Sequence, residues 1–269
     1  MSIFETVFSP FTWLLNNTIF YLFKWISWLI VQVLPSSYTS IFDEFMLLLW
    51  NGIIKTFYLA FFGTIFGLIF ACFFGVIRTI KVNKKDPFLI KCLKRCSNWI
   101  IKFYVTLFRG TPMLVQSLII YYILSDLFSI SSFDAALITV TINTCAYLTE
   151  VIRSAIEAID KGQSEAARSL GFSYTKTLLL IVFPQALKNA MSSIGNEFII
   201  NIKDTSVLNV IGCAEMYLVL KSVAGKGFYL ETMIAGALIY LILTYSMTKL
   251  LNFIEKKLDV PVVDLPSCN

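Results

Sequence analysis

Polar and charged side chains that interrupt long apolar stretches are the candidates for chemistry in this sequence. In a lipid bilayer a charge costs at least about 2.5 kcal/mol near the centre, so it must find a partner or a water-filled cavity. Polar groups are tolerated at that depth where they face such a cavity. We therefore expect the interrupting residues to line a polar path or a subunit interface; they are Arg109, Pro112, Gln116, Glu150, Asn196, Glu197, Lys203, Asp204, Thr205 and Ser206.

Some of these residues also admit a purely structural role. Arg109 lies near one end of its apolar stretch, where it could instead reach the lipid headgroups as an anchor. Glu150 and Arg153 are three residues apart and are expected to pair on one face of a helix. The segment 203–206 interrupts the apolar pattern and predicts a break near the outer face of the membrane.

Enzymatic chemistry has little support among the residue types. The chain has no histidine, the commonest general base, and no G-x-x-x-x-G-K-[ST] loop to hold nucleotide phosphates. Cys92 and Cys96 lie in a lysine-rich segment, but a structural zinc site there would need two more thiolates from distant positions. We expect no metal and no cofactor in this chain.

A polar segment, residues 160–175, separates two apolar stretches and carries its own helix signals. Ser164 is expected to cap a short helix, Glu165 suits the positive N-terminal end, and Gly171 is expected to end it in left-handed backbone. One face of small residues is expected to fit a partner's groove; its members are Gln163, Ala166, Ala167 and Leu170. The alternative is a solvated connecting helix.

The elements that must position these residues are membrane-spanning helices. Of 269 residues, 57% are hydrophobic and 14% charged, a composition far too apolar for a soluble domain. About 20 apolar residues cross a bilayer as a helix. The predicted fold is therefore an all-α, polytopic helical membrane protein with six candidate spans, approximately residues 11–34, 49–80, 99–124, 133–156, 177–202 and 228–253.

The basic residues predict how these spans are oriented. The loop between the second and third spans, residues 81–95, holds six Lys or Arg residues against one acidic residue and is expected inside the cell. Segments 35–43 and 125–132 have no Lys or Arg and are expected outside. Alternation then places residues 160–176 and the C-terminal tail inside.

Two features of the first spans leave alternatives open. The stretch 11–34 is expected to be retained rather than cleaved, and because it contains Lys24 it either spans the membrane or lies along its surface. Gly63 and Gly67 form a GxxxG pair, which favours the close approach of another helix, although the pattern is common in apolar segments.

The spacing within and beyond the polar segment resembles a known signature. Glu165-Ala-Ala is followed after three residues by Gly171 and, nine residues later, by Ile181-Val-Phe-Pro184. This resembles E-A-A-x3-G-x9-I-x-L-P, the EAA motif of ATP-binding-cassette (ABC) importer permeases, with Phe183 in place of leucine. The resemblance implies that this loop is the coupling helix, in which Glu165, Ala166, Ala167, Leu170 and Gly171 dock on the ATP-hydrolysing subunit.

Further motifs look like one branch of that family. Phe108-Arg-Gly-Thr-Pro-Met-Leu-Val-Gln116 is similar to the F-R-G-T-P-x-L-V-Q motif of the polar amino acid importers, which carry histidine, glutamine, glutamate and arginine. The resemblance covers roughly residues 51–251 and implies the type I importer fold of five core spans, with the first stretch an addition. It implies an N-terminal extension at 1–48, a permease domain at 49–253 and a cytoplasmic tail at 254–269.

The resemblance also implies partners. Two permease subunits, identical or different, would enclose a path in the bacterial cell membrane; a pair of ATPases would bind ATP and Mg²⁺; and an external protein would deliver the amino acid. A secondary transporter or channel, a membrane scaffold and a membrane enzyme are the rival classes. The first would need no ATPase and no loop from Glu165 to Gly171.

Overall fold

The computed structural model of the chain describes residues 39–80, 82, 86–225 and 229–257. Within these residues the secondary structure is helical. The N-terminal stretch 11–34 and the end of the C-terminal tail lie outside the described residues, so their predicted placement stays a prediction.

The helices follow one another with short connections. They are α1 (Thr39–Thr79), α2 (Phe88–Arg109), α3 (Met113–Phe128), α4 (Ser132–Glu157), α5 (Lys161–Ser169), α6 (Tyr174–Thr177), a π-helical segment (Leu178–Val182), α7 (Phe183–Asp204), a 3-10 segment (Thr205–Ile211), α8 (Met216–Ala224) and α9 (Tyr229–Lys257).

Four spans in the described residues are long and apolar enough to cross a membrane. They are Met46–Thr79, Ser132–Glu157, Tyr174–Ile211 and Thr232–Lys257, and each overlaps a span predicted from the sequence. A fifth span results if α2 and α3 are taken together, which agrees with the expected five core spans.

The predicted single span 99–124 is wrong as a continuous helix. Helix α2 ends at Arg109, α3 begins at Met113, and the two are bent by 112° at the break. Pro112 explains the break, because proline has no N–H for the helix ladder and disfavours helical backbone at the residue before it. Part of the predicted cytoplasmic loop, residues 88–95, also belongs to α2 rather than to a loop.

Contacts divide the chain into two units. Unit 1 holds the described residues up to Phe61, with Leu114–Thr139 and Ile202–Leu243. Its buried core joins α1 to α8 through Leu49, Ile53, Met216 and Leu220. The Met216 N–H also donates to the Thr56 hydroxyl over 3.2 Å, so α8 begins against α1.

Unit 2 holds Phe62–Met113, Val140–Asn201 and the described residues from Thr244 onward. In its buried core, Ile152 and Ile156 of α4 pack with Leu178 and Val182 of the π-helical segment and with α7. This core lies next to α5 along the chain, and α5 itself contacts the π-helical segment.

The predicted role of Gly63 and Gly67 is confirmed within unit 2. A Cβ atom on Gly67 would lie 2.9 Å from Cβ of Thr144 and 3.1 Å from the backbone nitrogen of Cys145, and a side chain on Gly63 would collide with Val140. Only glycine therefore permits α1 to lie this close to α4, where lipid supplies no hydrophobic drive for association.

We expect Gly67→Val to lower the free energy of unfolding by about 1–3 kcal/mol, because the added methyl groups overfill a contact that includes backbone. Thermal unfolding of the purified protein in detergent measures this change. Ile69→Val is the control, since Ile69 is exposed on the same helix. Equal melting temperatures for the two variants would contradict the close contact.

Candidate functional site

The short helix α5 is defined by signals at both ends. The Asp160 side chain caps it by accepting a hydrogen bond from the Gly162 N–H at 2.6 Å. The expectation that Ser164 caps this helix is therefore wrong: Ser164 lies inside it, and Asp160 supplies the acceptor that the free N–H groups need.

The C-terminal end of α5 is confirmed at Gly171. This residue has φ of +88°, the left-handed conformation that only glycine adopts without strain. Its N–H donates to the Arg168 carbonyl at 3.0 Å, and the next N–H, of Phe172, donates to the Ala167 carbonyl at 3.2 Å. This pair of bonds is a Schellman motif, and it turns the chain sharply after Leu170.

The predicted docking face of α5 is divided by the fold. Ala167 is 6% exposed, whereas Leu170 is 80% exposed and both Gln163 and Ala166 are exposed. Ala167 lies inward, because α5 packs on the π-helical segment, and its predicted docking on a partner stays a prediction. The Leu170 side chain is exposed to solvent beside the turn at Gly171, and Glu165 is exposed as well.

Polar contacts also hold α5 and the residues that follow it to unit 2. The Gln185 side-chain amide donates to the Gln163 side chain at 3.5 Å and to the Ile181 carbonyl at 2.8 Å. The Tyr174 hydroxyl donates to the Thr79 carbonyl, at the end of α1, at 3.4 Å. These bonds join α5 to α7, and α6 to the end of α1.

The predicted pair of Glu150 and Arg153 is confirmed and is part of a larger network. The Arg153 Nε donates to Oε1 of Glu150 at 2.9 Å, and the Arg78 guanidinium pairs with Oε2 at 2.5 Å. Arg153 also pairs with Glu157. Arg78 comes from α1, so this network joins α1 to α4; sequence reasoning missed it because it lies 72 residues away.

Arg109 and its neighbours lie at the break between α2 and α3. The Arg109 guanidinium carbon lies 5.2 Å from the centre of the Tyr147 ring, a cation–π contact that neither sequence interpretation foresaw. Pro112 is exposed within the break, and Gln116 is buried in α3 of unit 1.

Asn201, a buried amide close to the predicted Asn196 and Glu197, was not among the residues predicted from the sequence. Asn196 is exposed and Glu197 half-buried, but Asn201, one turn further along α7, is 2% exposed. Its amide nitrogen donates to the hydroxyls of Thr64 and Thr144, each at 2.9 Å. Asn201 thus joins α7 to α1 and α4, and its position in an apolar stretch was the available signal.

The predicted break at residues 203–206 is confirmed. Helix α7 ends at Asp204, and the chain tightens into the 3-10 segment, where the buried Thr205 hydroxyl donates to the Ile202 carbonyl at 3.0 Å. Lys203 and Asp204 are exposed. Lys203 and Ser206 line a cavity of about 350 Å³ in unit 1, together with residues of α8 and α9.

Glu215 is a buried carboxyl that sequence reasoning also missed. It caps α8 by accepting hydrogen bonds from the N–H groups of Tyr217 at 2.7 Å and Leu218 at 2.9 Å. The Tyr240 hydroxyl lies 3.4 Å away. Burial raises the pKa of Glu215 to about 7, against the opposing effect of the backbone N–H donors.

The described residues contain no group of three or more His, Cys, Asp or Glu side chains that could hold a metal ion. Cys92 and Cys96 lie on one side of α2 with their sulfur atoms 4.0 Å apart, and both are exposed.

Comparisons with known proteins agree on one family. The family described as binding-protein-dependent transport system inner membrane component matches residues 93–260. The arginine transport system permease protein ArtQ of Bacillus subtilis is 38% identical over 68% of this chain and 81% of its own length. The L-cystine transport system permease protein TcyB of the same species is 33% identical over 81% and 89%. The glutamine transport system permease protein GlnP of Escherichia coli is 36% identical over 61% and 77%.

Solved structures give the same result. An amino acid ABC transporter crystallised with histidines is similar with a TM-score of 0.70 and 30% identity, over 83% of this chain and all of that chain. An inward-facing methionine ABC transporter, MetNI, is similar with a TM-score of 0.67 over 80% and 98%. At 18% identity this second likeness concerns the fold alone.

The raised pKa of Glu215 predicts a pH-dependent stability. An unfolded carboxyl releases its proton near pH 4.5, whereas the folded protein holds it until about pH 7. The folded state therefore binds more protons in this window, and the free energy of unfolding should fall by roughly 3 kcal/mol as the pH rises through it. Thermal unfolding between pH 4.5 and 8 measures the change.

Glu215→Gln cannot titrate and should lose this part of the pH dependence. Glu157→Gln is the control, because the Glu157 side chain is 56% exposed. If Glu215→Gln and the control keep the same slope, the buried carboxyl is not its source.

Arg78→Gln should lower the free energy of unfolding by about 1–3 kcal/mol, since it leaves the partly buried Glu150 with one cation in place of two. Glu157→Gln should change it by less than about 0.5 kcal/mol, because that charge is largely in solvent. Both are read from thermal unfolding. A smaller effect at Arg78 than at Glu157 would show that the network does not stabilise unit 2.

Proposed function

The chain belongs to the family of binding-protein-dependent transport system inner membrane components, and we propose that the solute it moves is an amino acid. As a member it is a multi-pass protein of the inner membrane and the permease subunit of an ABC importer, not an enzyme. It moves solute by alternating access, and a separate ATPase subunit supplies the energy. This membership decides against the secondary transporter, scaffold and enzyme alternatives.

The amino acid assignment is supported by the relatives. Those with the printed substrates arginine, cystine and glutamine are 33–38% identical to this chain. The segment from Phe108 to Gln116, which looks like the motif of the polar amino acid importers, also supports it. No catalytic constellation is required, because the solute is moved without chemical change.

We place the contact with the ATPase at α5, and the exposed Leu170 is the observation that carries this assignment. A side chain that is 80% exposed beside a sharp glycine turn can enter a groove without disturbing its own unit. Ala166 and Glu165, also exposed, would border Leu170 in that groove. Ala167 and Gly171 act indirectly, since the first packs α5 on the chain and the second sets the turn.

A continuous series of contacts connects α5, whose C-cap is Leu170, to the membrane-spanning helices. Helix α5 packs on the π-helical segment, which packs with Ile152 and Ile156 of α4. The network of Glu150 joins α4 to Arg78 of α1. We propose that ATP-driven closure of the ATPases moves α5 and, through these contacts, the inner ends of α1 and α4.

The remaining assignments complete the complex. ATP and Mg²⁺ bind to a pair of ATPases, a second permease subunit completes the path, and an external binding protein delivers the amino acid. The permease domain extends over residues 49–253, with the extension 1–48 before it and a tail from residue 254 on the cytoplasmic side. Arg109, Pro112, Gln116, Asn196, Glu197 and the residues 203–206 are proposed to line the path or the subunit interface.

Leu170→Asp should abolish binding of the ATPase and ATP-dependent uptake, because a carboxylate would replace the apolar side chain in the groove. Ser169→Asp is the matched control: it adds the same charge at an exposed position next in sequence. Co-purification of the ATPase with the permease and uptake in proteoliposomes are the measurements. An intact, coupled complex with Leu170→Asp would refute the assignment of α5 as the coupling helix.

A further inference from the structure

The cavity of unit 1 is a built pocket with a division between polar and apolar walls. It has a volume of about 350 Å³, within the range of small-ligand sites. Lys203 and Ser206 come from the end of α7 and the 3-10 segment. The other walls are mostly apolar and come from α8 and α9, with Leu220, Met233, Gly236 and Ala237 among their residues.

The walls of this pocket are held by contacts among the wall residues and by a contact with Glu215. A Cβ atom on Gly236 would lie 2.5 Å from Cδ1 of Leu220, so the glycine lets α9 approach α8 closely. Glu215 caps α8 and also meets the hydroxyl of Tyr240, a further wall residue. The shape of the pocket is therefore set before a ligand enters, which reduces the cost of ordering it on binding.

The charges of the residues that line the pocket determine which charges a ligand can carry there. Among the described residues that line it, Lys203 is the one cation and none is a carboxylate. A carboxylate on the ligand would be attracted to this ammonium group, whereas a charge on the ligand's side chain would have to lie among Leu220, Met233 and Ala237 without a partner. An unpaired charge in such surroundings is strongly disfavoured.

We propose that this pocket receives the transported amino acid with its carboxylate at Lys203, and that the side chain of that amino acid is uncharged and mostly apolar. This inference rests on the proposed amino acid transport and narrows it, since the resemblance to the polar amino acid importers allows charged substrates as well. Ser206 and Tyr217, which also line the pocket, carry hydroxyl groups, and we assign the amino group of the ligand to this part of the lining.

Uptake by the complete transporter, reconstituted in proteoliposomes with its ATPases and binding protein, tests the charge of the side chain. The labelled probes are leucine, methionine, arginine and glutamate. We expect ATP-dependent uptake of leucine or methionine to exceed that of arginine and glutamate by at least about tenfold, because a charged side chain would leave a buried charge unpaired. Preferential uptake of arginine or glutamate would overturn the inference while leaving amino acid transport intact.

Variants test the pocket itself. Ala237→Phe fills it from an exposed wall position, and Leu238→Phe adds a ring at the next, exposed residue of α9 outside the lining. We expect Ala237→Phe to reduce uptake about tenfold or more, and Leu238→Phe to behave as the wild type. Uptake by Ala237→Phe at the wild-type rate would refute the site.

If the transporter with Ala237→Phe does not assemble, Lys203→Gln provides a second test of the pocket. It should raise KM about tenfold, and Lys203→Arg should restore it, because both cations attract the carboxylate. An unchanged KM in Lys203→Gln would overturn the placement of the carboxylate. Absence of ATP-dependent uptake of all four probes would also overturn the inference, and a screen of the remaining amino acids would then decide the proposed function separately.

Discussion

Helices in a bilayer gain little by burying apolar surface against each other, because lipid tails are as apolar as the side chains they replace. The helices of this chain are instead held by close approach and by hydrogen bonds. Gly67 brings α1 against Thr144 of α4, and the same threonine, with Thr64, accepts a hydrogen bond from Asn201 of α7. Three spans thus meet at one small, polar contact. The core of unit 2 includes the same three helices and the π-helical segment that α5 contacts.

The charged Glu150 is likewise held by contacts between helices. Glu150, inside a span, would be costly if left alone, and it is paired with two guanidinium groups from different helices. The same network joins α4 to the end of α1. An interaction that satisfies a partly buried charge therefore also connects two of the spans.

The two units bear different parts of the proposed mechanism. Unit 2 carries α5, which we propose as the coupling helix, together with its Schellman turn and the ion network. Unit 1 carries the pocket and the buried Glu215 that fixes one of its walls. Leu170, proposed to enter the ATPase groove, and Lys203, the cation of the pocket, are both exposed, as groups that meet a partner or a solute must be.

The sequence by itself determined the membrane class, the approximate spans, the turn at Gly171 and the family, because each depends on residues close together in the chain or at fixed spacing. It also determined the pair of Glu150 and Arg153, which is local to one helix. Only the tertiary structure decided that Ala167 is buried while Leu170 is exposed, since both lie on the same predicted face. The tertiary structure also decided that Glu150 pairs with Arg78, and that Asn201 donates to Thr64 and Thr144. It likewise brought Lys203 and α9 together around one pocket. Contacts between distant segments depend on how the helices pack, and the spacing of residues along the chain does not specify that packing.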